Sequence, residues 1–304
     1  MIEAIGLSKR YGHKLAVDDL SFTVKPGMVT GFLGPNGAGK STTMRLLLDL
    51  DEPTRGESRV NGRRYRDHKA PLFEVGALLE AKAIHTGRSA RNHLLALAAT
   101  NGISRRRVDE MLGLVGLESV AGKRAGGFSL GMGQRLGIAS ALLGDPHTLL
   151  LDEPVNGLDP EGVLWIRTLL KQLAAEGRTI FVSSHLMSEM ALTAEHLIVV
   201  GQGRLIADTT VAELTKRVSG DEVVVHSEDD VRLRGLLAGD GATVVSTDTG
   251  RLHVTGMGSA QVGRIAAQAG IALIELVPQH ASLEEAFMEV TRNSLEFVPT
   301  GGVQ

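Results

Sequence analysis

The sequence predicts an α/β protein with a parallel sheet, followed by a smaller α+β domain. Through the first two thirds of the chain, short apolar segments that are typical of buried strands alternate with segments of helical periodicity. One of these strands, MVTGFL at 28–33, runs directly into a glycine-rich loop that precedes a helical pattern. Near Ser219–Gly220 the composition changes, and the order of predicted elements becomes β-α-β-β-α-β.

Length and composition restrict the function. The 304 residues exceed one average domain, and 43% hydrophobic with 22% charged residues is ordinary for a globular protein. A net charge of -3 provides no basic field for nucleic acid, so no nucleic-acid partner is expected. The chain has no cysteine, which excludes disulfides and thiolate metal sites. No apolar run is long enough to cross a membrane, and the N-terminus lacks the apolar region of a signal peptide.

The predicted elements follow one another in a simple order. Residues 1–25 alternate in polarity and predict β-strands, whereas 83–143 are mostly helical in pattern. Three further segments predict a strand, a helix and a strand: HTLLLDEP at 147–154, GVLWIRTLLKQLAAEG at 162–177 and RTIFVSSH at 178–185. These boundaries predict a core domain at 1–218 that contains a helical subdomain at about 83–143.

The second domain is predicted at 219–293. Its strands are expected at 222–226, 243–247, 252–256 and 271–276, and its helices at 230–238 and 259–269, which is the ferredoxin-like order. A helix at 282–292 and a flexible tail at 294–304 complete the chain. No motif in this region indicates chemistry, and we interpret it as an accessory domain.

The glycine-rich loop indicates phosphate binding. It fits G-x-x-x-x-G-K-[ST] completely, with the residues Gly34, Pro35, Asn36, Gly37, Ala38, Gly39, Lys40 and Ser41. Phosphate oxygens need N–H donors that no side chain blocks, and the following helix directs its positive end to the same place. We expect Lys40 to reach the β- and γ-phosphates, Thr42 to add a contact, and Ser41 to ligate Mg²⁺. The alternative is an ordinary glycine-rich turn.

Acidic residues after a later strand indicate hydrolysis. The segment LLLDEP at 149–154 places Asp152 and Glu153 at a strand end. Asp152 is predicted to hold Mg²⁺ and Glu153 to act as the base that polarises the attacking water. His185 ends the next strand and is a candidate contact of the γ-phosphate. The alternative is that these are solvated polar residues at strand ends.

Together these segments resemble the ATPase subunit of an ATP-binding cassette (ABC) transporter over residues 1–218. The segment FSLGMGQRL at 128–136 is similar to the family signature, which usually reads L-S-G-G-Q. The resemblance implies that Tyr11 stacks on adenine, and that Asp159 in NGLD at 156–159 belongs to the nucleotide site. It also implies a fold with a P-loop ATPase core, an antiparallel β subdomain and a helical subdomain.

The resemblance also implies an assembly. Two copies pack head to tail, and each ATP lies between one P-loop and the other copy's signature, where Ser129 and Gly131 donate to the γ-phosphate. One complete set of motifs predicts a homodimer. A separate transmembrane permease is expected in a groove near residues 80–95, with Arg88 and Arg91 as candidate contacts. The protein is then cytoplasmic and peripheral on the inner face of the cell membrane.

Three residues depart from the family pattern. Leu130 replaces the first glycine of the signature, Met132 replaces its glutamine, and Glu80 stands where the family has a glutamine that links Mg²⁺ to the permease. Glu80 can ligate Mg²⁺ but cannot donate a hydrogen bond when ionised. These departures resemble the branch that exports drugs, antibiotics and bacteriocin-like peptides.

Two other functions remain open from the sequence. One is a soluble cassette ATPase that acts on nucleic acid or ribosomes, but such proteins usually carry a long coiled coil or two cassettes in one chain. The other is a nucleotide sensor without turnover, which would not need the base Glu153.

Overall fold

A computed structural model describes residues 1–80, 84–219, 222–246, 251–279 and 281–292. The chain forms two compact units, of which the first comprises Met1–Val211 together with the chain from Thr291 onwards and the second comprises Ala212–Val290. The division lies before the boundary predicted after residue 218, because the helix that begins at Val211 falls almost entirely within the second unit. The predicted tail at 294–304 lies outside the described residues.

The strands of the first unit form two sheets. They are β1 (Ile2–Tyr11), β2 (Lys14–Val24), β3 (Val29–Leu33), β4 (Arg55–Val60), β5 (Val75–Leu78), β6 (Thr148–Asp152), β7 (Thr179–Ser183), β8 (His196–Gly201) and β9 (Arg204–Thr210). A six-stranded sheet has the order β5-β6-β7-β3-β8-β9, in which only β9 is antiparallel to its neighbour. A three-stranded antiparallel sheet has the order β2-β1-β4.

Helices connect these strands. They are α1 (Lys40–Leu47), α2 (Pro71–Glu74), α3 (Ala90–Thr100), α4 (Arg105–Leu114), α5 (Leu130–Leu142), α6 (Pro160–Ala175) and α7 (Met187–Thr193). The three consecutive helices α3, α4 and α5 occupy the predicted helical region. Each begins after a serine, at Ser89, Ser104 and Ser129, whose hydroxyl accepts a hydrogen bond from a main-chain N–H in the first turn.

Three phenylalanines join the two sheets. Phe22 on β2, Phe32 on β3 and Phe181 on β7 are buried, and the centroids of their rings are 4.9 to 5.9 Å apart. Their contacts fix the six-stranded sheet against the antiparallel sheet. Because β3, β6 and β7 are parallel neighbours or near neighbours, their carboxyl ends meet at one edge, which is the edge where α/β proteins place their ligands.

The second unit has the ferredoxin-like arrangement that the sequence predicts. It contains α8 (Val211–Ser219), β10 (Glu222–Ser227), α9 (Asp230–Gly239), β11 (Thr243–Ser246), β12 (Leu252–Thr255), α10 (Ser259–Gln268), β13 (Leu273–Gln279) and α11 (Leu283–Thr291). The antiparallel sheet has the order β11-β12-β10-β13. The last strand begins at Leu273, later than predicted, because the N–H of Ile271 donates to the carbonyl oxygen of Ala266 at 2.9 Å in the turn that ends α10.

The predicted α/β fold class with an additional α+β unit is confirmed. In the described part of the chain, no helix has the length and apolar character that crossing a membrane requires.

The phenylalanine cluster gives the first test. Replacing the fully buried Phe181 with alanine removes ring contacts to both sheets, and we expect a loss of about 3–5 kcal/mol in the free energy of unfolding. Urea unfolding followed by the fluorescence of Trp165, the single tryptophan of the chain, reports on the first unit. The matched control is Phe73→Ala, because Phe73 is 41% exposed and its loss should cost about 1 kcal/mol or less. Equal effects of the two variants would contradict this account of the core.

Candidate nucleotide-binding site

The glycine-rich loop connects β3 to α1 at the carboxyl edge of the sheet. Gly37 and Gly39 have positive φ angles of 83° and 97°, which side-chain-bearing residues rarely adopt. A Cβ atom at Gly39 would lie 2.4 Å from the carbonyl oxygen of Ala16, and one at Gly34 would lie 2.5 Å from that of Val200. Glycine is therefore favoured by the backbone conformation at Gly37 and Gly39, and required by close main-chain approach at Gly34 and Gly39.

A cavity of about 480 Å³ opens over this loop. Most of the predicted site residues line it, namely Tyr11, Pro35, Asn36, Gly37, Ala38, Gly39, Lys40, Ser41, Thr42, Asp152 and Glu153. Lys14 and Ala16 on β2 also line it, and sequence reasoning did not single them out. The cavity thus combines a loop of main-chain N–H groups with one hydroxyl-rich helix start and two carboxylates.

Lys40 lies at the end of the glycine-rich loop and is the first residue of α1. Its Nζ donates hydrogen bonds to the carbonyl oxygens of Gly34 at 2.5 Å and Pro35 at 3.3 Å. Burial lowers the pKa of Lys40 below its usual value, while the charges of Glu153 and Asp152 oppose this shift. Removing an ammonium group from water is costly unless an opposite charge lies next to it. A phosphate group that binds beside Lys40 would supply this negative charge.

A pair of oxygen ligands lies next to Lys40. The hydroxyl of Ser41 donates to Oδ2 of Asp152 at 2.9 Å, and the buried hydroxyl of Ser183 donates to Oδ1 of the same carboxylate. Mg²⁺ prefers oxygen ligands and usually binds through one or two protein groups together with substrate phosphates and water. This hydroxyl and carboxylate fit such an ion.

Glu153 and His185 form a second pair. Nδ1 of His185 lies 2.7 Å from Oε2 of Glu153, and the main-chain N–H of His185 donates to the same oxygen at 3.3 Å. Glu153 has a φ angle of 51°, in the left-handed region that residues other than glycine rarely adopt. A carboxylate held by an imidazole at the edge of a phosphate-binding cavity can accept a proton from a water molecule.

Tyr11 borders the same cavity from the end of β1. Its hydroxyl donates to Oδ2 of Asp51 at 2.8 Å, and Asp51 is also bonded by Arg45. Burial and the Asp51 carboxylate raise the pKa of Tyr11. The side chain is 45% exposed, and Nζ of Lys9 lies 5.0 Å from the ring centroid. The fixed hydroxyl and exposed ring provide a flat apolar surface of the kind on which a base can stack.

The signature residues lie apart from this cavity. Ser129 caps α5 and accepts a hydrogen bond from the N–H of Met132 at 3.2 Å. A Cβ atom at Gly131 would lie 2.5 Å from the carbonyl oxygen of Gly157, so glycine is also needed there for packing. Asp159 caps α6 by accepting from the N–H of Gly162 at 2.9 Å. Ser129, Gly131 and Asp159 were each predicted to contact the nucleotide, but none of them lines the cavity over the glycine-rich loop of the same chain.

Glu80 also lies outside the cavity over the loop. It lines a separate cavity of about 490 Å³ together with Arg45 and His93. The structure therefore does not bring Glu80 together with Ser41 and Asp152. Its neighbour in this cavity is a cation, Arg45, whose pKa is raised chiefly by the hydrogen bond with Asp51 and slightly by the charge of Glu80.

Two residues that the sequence reasoning did not propose contact the acidic pair. Ser183 bonds both Asp152 and the main-chain N–H of Glu153, at 3.0 Å for the latter. Nε2 of Gln134, a residue only 1% exposed, donates to the carbonyl oxygen of Glu153 at 3.0 Å. Two sequence features could have indicated these contacts. Ser183 is the serine two residues before His185, and Gln134 is a polar residue on the otherwise apolar side of α5.

Comparisons with known proteins agree with this geometry. Residues 17–156 match the family described as ABC transporter, and residues 221–284 match a domain of unknown function, DUF8746. The chain is 43% identical over 220 residues to a bacitracin transport ATP-binding protein of Bacillus licheniformis, covering 71% of this chain and 72% of that protein. It is 34% identical over 294 residues to a Nod factor export ATP-binding protein of Burkholderia pseudomallei, covering 94% and 95%.

Solved structures are similar to about 70% of the chain. An ATP-binding subunit of an ABC transporter superposes with a TM-score of 0.65 at 28% identity, over 71% of this chain and 92% of that one. A dimeric bacterial ABC transporter cassette gives a TM-score of 0.64 at 26% identity, over 69% and 98%. The loop, the paired carboxylates and these relatives lead to one conclusion: the chain belongs to the family of ABC transporter ATP-binding proteins, and it is an ATPase.

Proposed function

We propose that this ATPase energises a separate membrane permease that exports a drug, an antibiotic or a peptide. The observation that carries the proposal is that Lys40, the Ser41–Asp152 pair and Glu153 line one cavity, and that His185, outside its lining, contacts Glu153. The direction and cargo class are supported by relatives named for bacitracin transport, Nod factor export and lantibiotic transport, the last in Streptococcus pyogenes at 34% identity.

Each residue of the cavity has a proposed role in hydrolysis. Lys40 and the loop N–H groups bind the β- and γ-phosphates, while Ser41 and Asp152 hold Mg²⁺, which neutralises phosphate charge when bound. Glu153 takes the proton of the attacking water, and His185 orients that carboxylate through the contact at 2.7 Å. Tyr11 stacks on the adenine.

We propose that two copies complete the site in a head-to-tail homodimer. Ser129 and Gly131 begin α5, a helix of 13 residues whose N-terminus has a positive partial charge, yet they do not line the cavity of their own chain. A facing copy can bring this helix end to the γ-phosphate. Asp159, which caps α6, is proposed to lie in the same interface. Hydrolysis removes the γ-phosphate contacts, which shifts the dimer towards its open state.

The permease is proposed to dock in the cavity that contains Glu80. This cavity has an apolar lining and includes residues of the predicted 80–95 segment, and its walls include Leu50, Ile84, His93 and Leu97. Neither Arg88 nor Arg91 lines it, and Arg91 is instead bonded to Asp109 at 2.8 and 2.9 Å. An apolar groove suits a helix from the permease, and this docking makes the chain peripheral on the cytoplasmic face of the membrane.

The role of Glu153 is tested by Glu153→Gln. The amide has a similar shape but cannot accept the proton of the attacking water, so we expect ATP turnover to fall by at least about a hundredfold. Binding of MgATP should remain, and size-exclusion chromatography in MgATP should show a dimer that the active wild type does not accumulate. The control is Glu57→Gln, which should leave turnover unchanged because Glu57 is a partly exposed acid on β4 that pairs with Arg59 and does not line the nucleotide cavity. Wild-type turnover in the Glu153 variant would contradict its role as the base.

The docking groove is tested by Leu50→Asp. Leu50 is 53% exposed in the apolar groove, and a carboxylate there would have to be desolvated against the permease. In membrane vesicles that contain the permease, we expect transport to be lost while nucleotide binding by the purified chain is unchanged. The control Leu114→Asp alters a leucine of 39% exposure outside the groove and should transport normally. Normal transport by Leu50→Asp would show that the permease docks elsewhere.

A further inference from the structure

The main chain of Glu153 has an unfavourable conformation. Glu153 follows β6 with a φ angle of 51°, which places it in the left-handed region. Glycine adopts this conformation without steric cost, but a glycine could not supply the carboxylate that the reaction requires. Other residues must therefore hold the Glu153 peptide in place.

Hydrogen bonds from three directions hold this peptide. Its N–H donates to the hydroxyl of Ser183 at 3.0 Å. Its carbonyl oxygen accepts from the N–H of Asn156 at 3.2 Å and from Nε2 of Gln134 at 3.0 Å. These contacts compensate for the ladder hydrogen bonds that a residue leaving a strand in this conformation gives up.

Gln134 differs from the other two partners in its origin. Ser183 belongs to the neighbouring strand β7, and Asn156 belongs to the turn that Glu153 itself begins. Gln134, in contrast, is the fifth residue of the helix α5. Its side chain is almost fully buried at 1% exposure. A buried amide is costly unless it is bonded, so this bond fixes α5 and the Glu153 peptide relative to each other.

A second contact joins the same two segments. A Cβ atom at Gly131 would lie 2.5 Å from the carbonyl oxygen of Gly157, and one at Gly157 would lie 2.5 Å from Cγ of Leu130. The start of α5 therefore packs closely on the turn that runs from Glu153 to Gly157. A displacement of α5 cannot leave this turn unchanged, because packed segments without free space move together.

We propose that Gln134 is a positioning residue that holds Glu153 in its working conformation and ties that conformation to the position of α5. The coupling part rests on the proposed function, in which the start of α5 contacts ATP on the facing copy. Contact of the α5 start with that ATP holds α5 in place, and through Gln134 it stabilises the conformation of Glu153 that the structure shows.

The test is Gln134→Met, which retains length and volume but removes the donor. We expect kcat to fall by roughly tenfold to a hundredfold with an unchanged Kd for MgATP, because the base is misplaced and the phosphate contacts are intact. The control is Ser58→Ala, which removes another buried bond from a side chain to the main chain, from Ser58 to the Leu46 carbonyl at 3.1 Å. A purely structural role for Gln134 would instead lower the melting temperature and leave kcat close to that of Ser58→Ala, which would overturn the proposal.

A double-mutant cycle identifies the residue through which Gln134 acts. If it acts through Glu153, adding Gln134→Met to Glu153→Gln should not reduce the residual turnover further. A further loss equal to that in the wild-type background would overturn the proposal.

A crystal structure of Gln134→Met separates this proposal from the proposed function. We expect Glu153 to leave the left-handed region or its carboxylate to lose the contact with His185, and an unchanged Glu153 would overturn the positioning role. This measurement requires no turnover. A wild type without ATP hydrolysis would count against the proposed transport cycle and not against the positioning of Glu153.

Discussion

Main-chain access at the loop of Gly34–Ser41 is the constraint on which the rest of the first unit depends. Phosphate can approach a series of N–H groups only where side chains are absent, and the loop must also be rigid to keep those groups aligned. The chain achieves rigidity by packing the loop against other main-chain atoms. The close approaches of Gly39 to Ala16 and of Gly34 to Val200 fix the loop between β2 and β8. The phenylalanine cluster then holds β2 against β3, the strand that leads into the loop.

The sequence predicted those features that depend on local pattern. The loop motif and the acidic strand end each lie within a few consecutive residues, so spacing and residue type were sufficient. The contacts of Gln134 and Ser183 were not predictable in this way, because they join residues that are 19 and 30 positions from Glu153. The compact units divide at Val211 and the composition changes near Ser219–Gly220, because a helix such as α8 carries no sequence signal for the unit it belongs to.

The departures from the family signature have local explanations in the structure. Leu130, at the position of the first glycine, packs against Gly157 and remains 51% exposed. Met132 contributes its N–H to the cap made by Ser129. Gly131 is the position where a side chain would collide with the Gly157 carbonyl, and it is glycine here. The signature therefore keeps glycine at Gly131, where packing demands it, and differs at the exposed Leu130 and the partly buried Met132.

The central claim is that the nucleotide site is shared between two copies, with the loop of one facing the α5 start of the other. Because the chain has no cysteine, single cysteines can report this contact directly. The most direct measurement mixes an Asn36→Cys protein with a Leu130→Cys protein, both carrying Glu153→Gln, and follows disulfide formation under mild oxidation. The account predicts a cross-linked heterodimer in MgATP and none in its absence. Failure to cross-link in MgATP, or equal cross-linking without nucleotide, would contradict it.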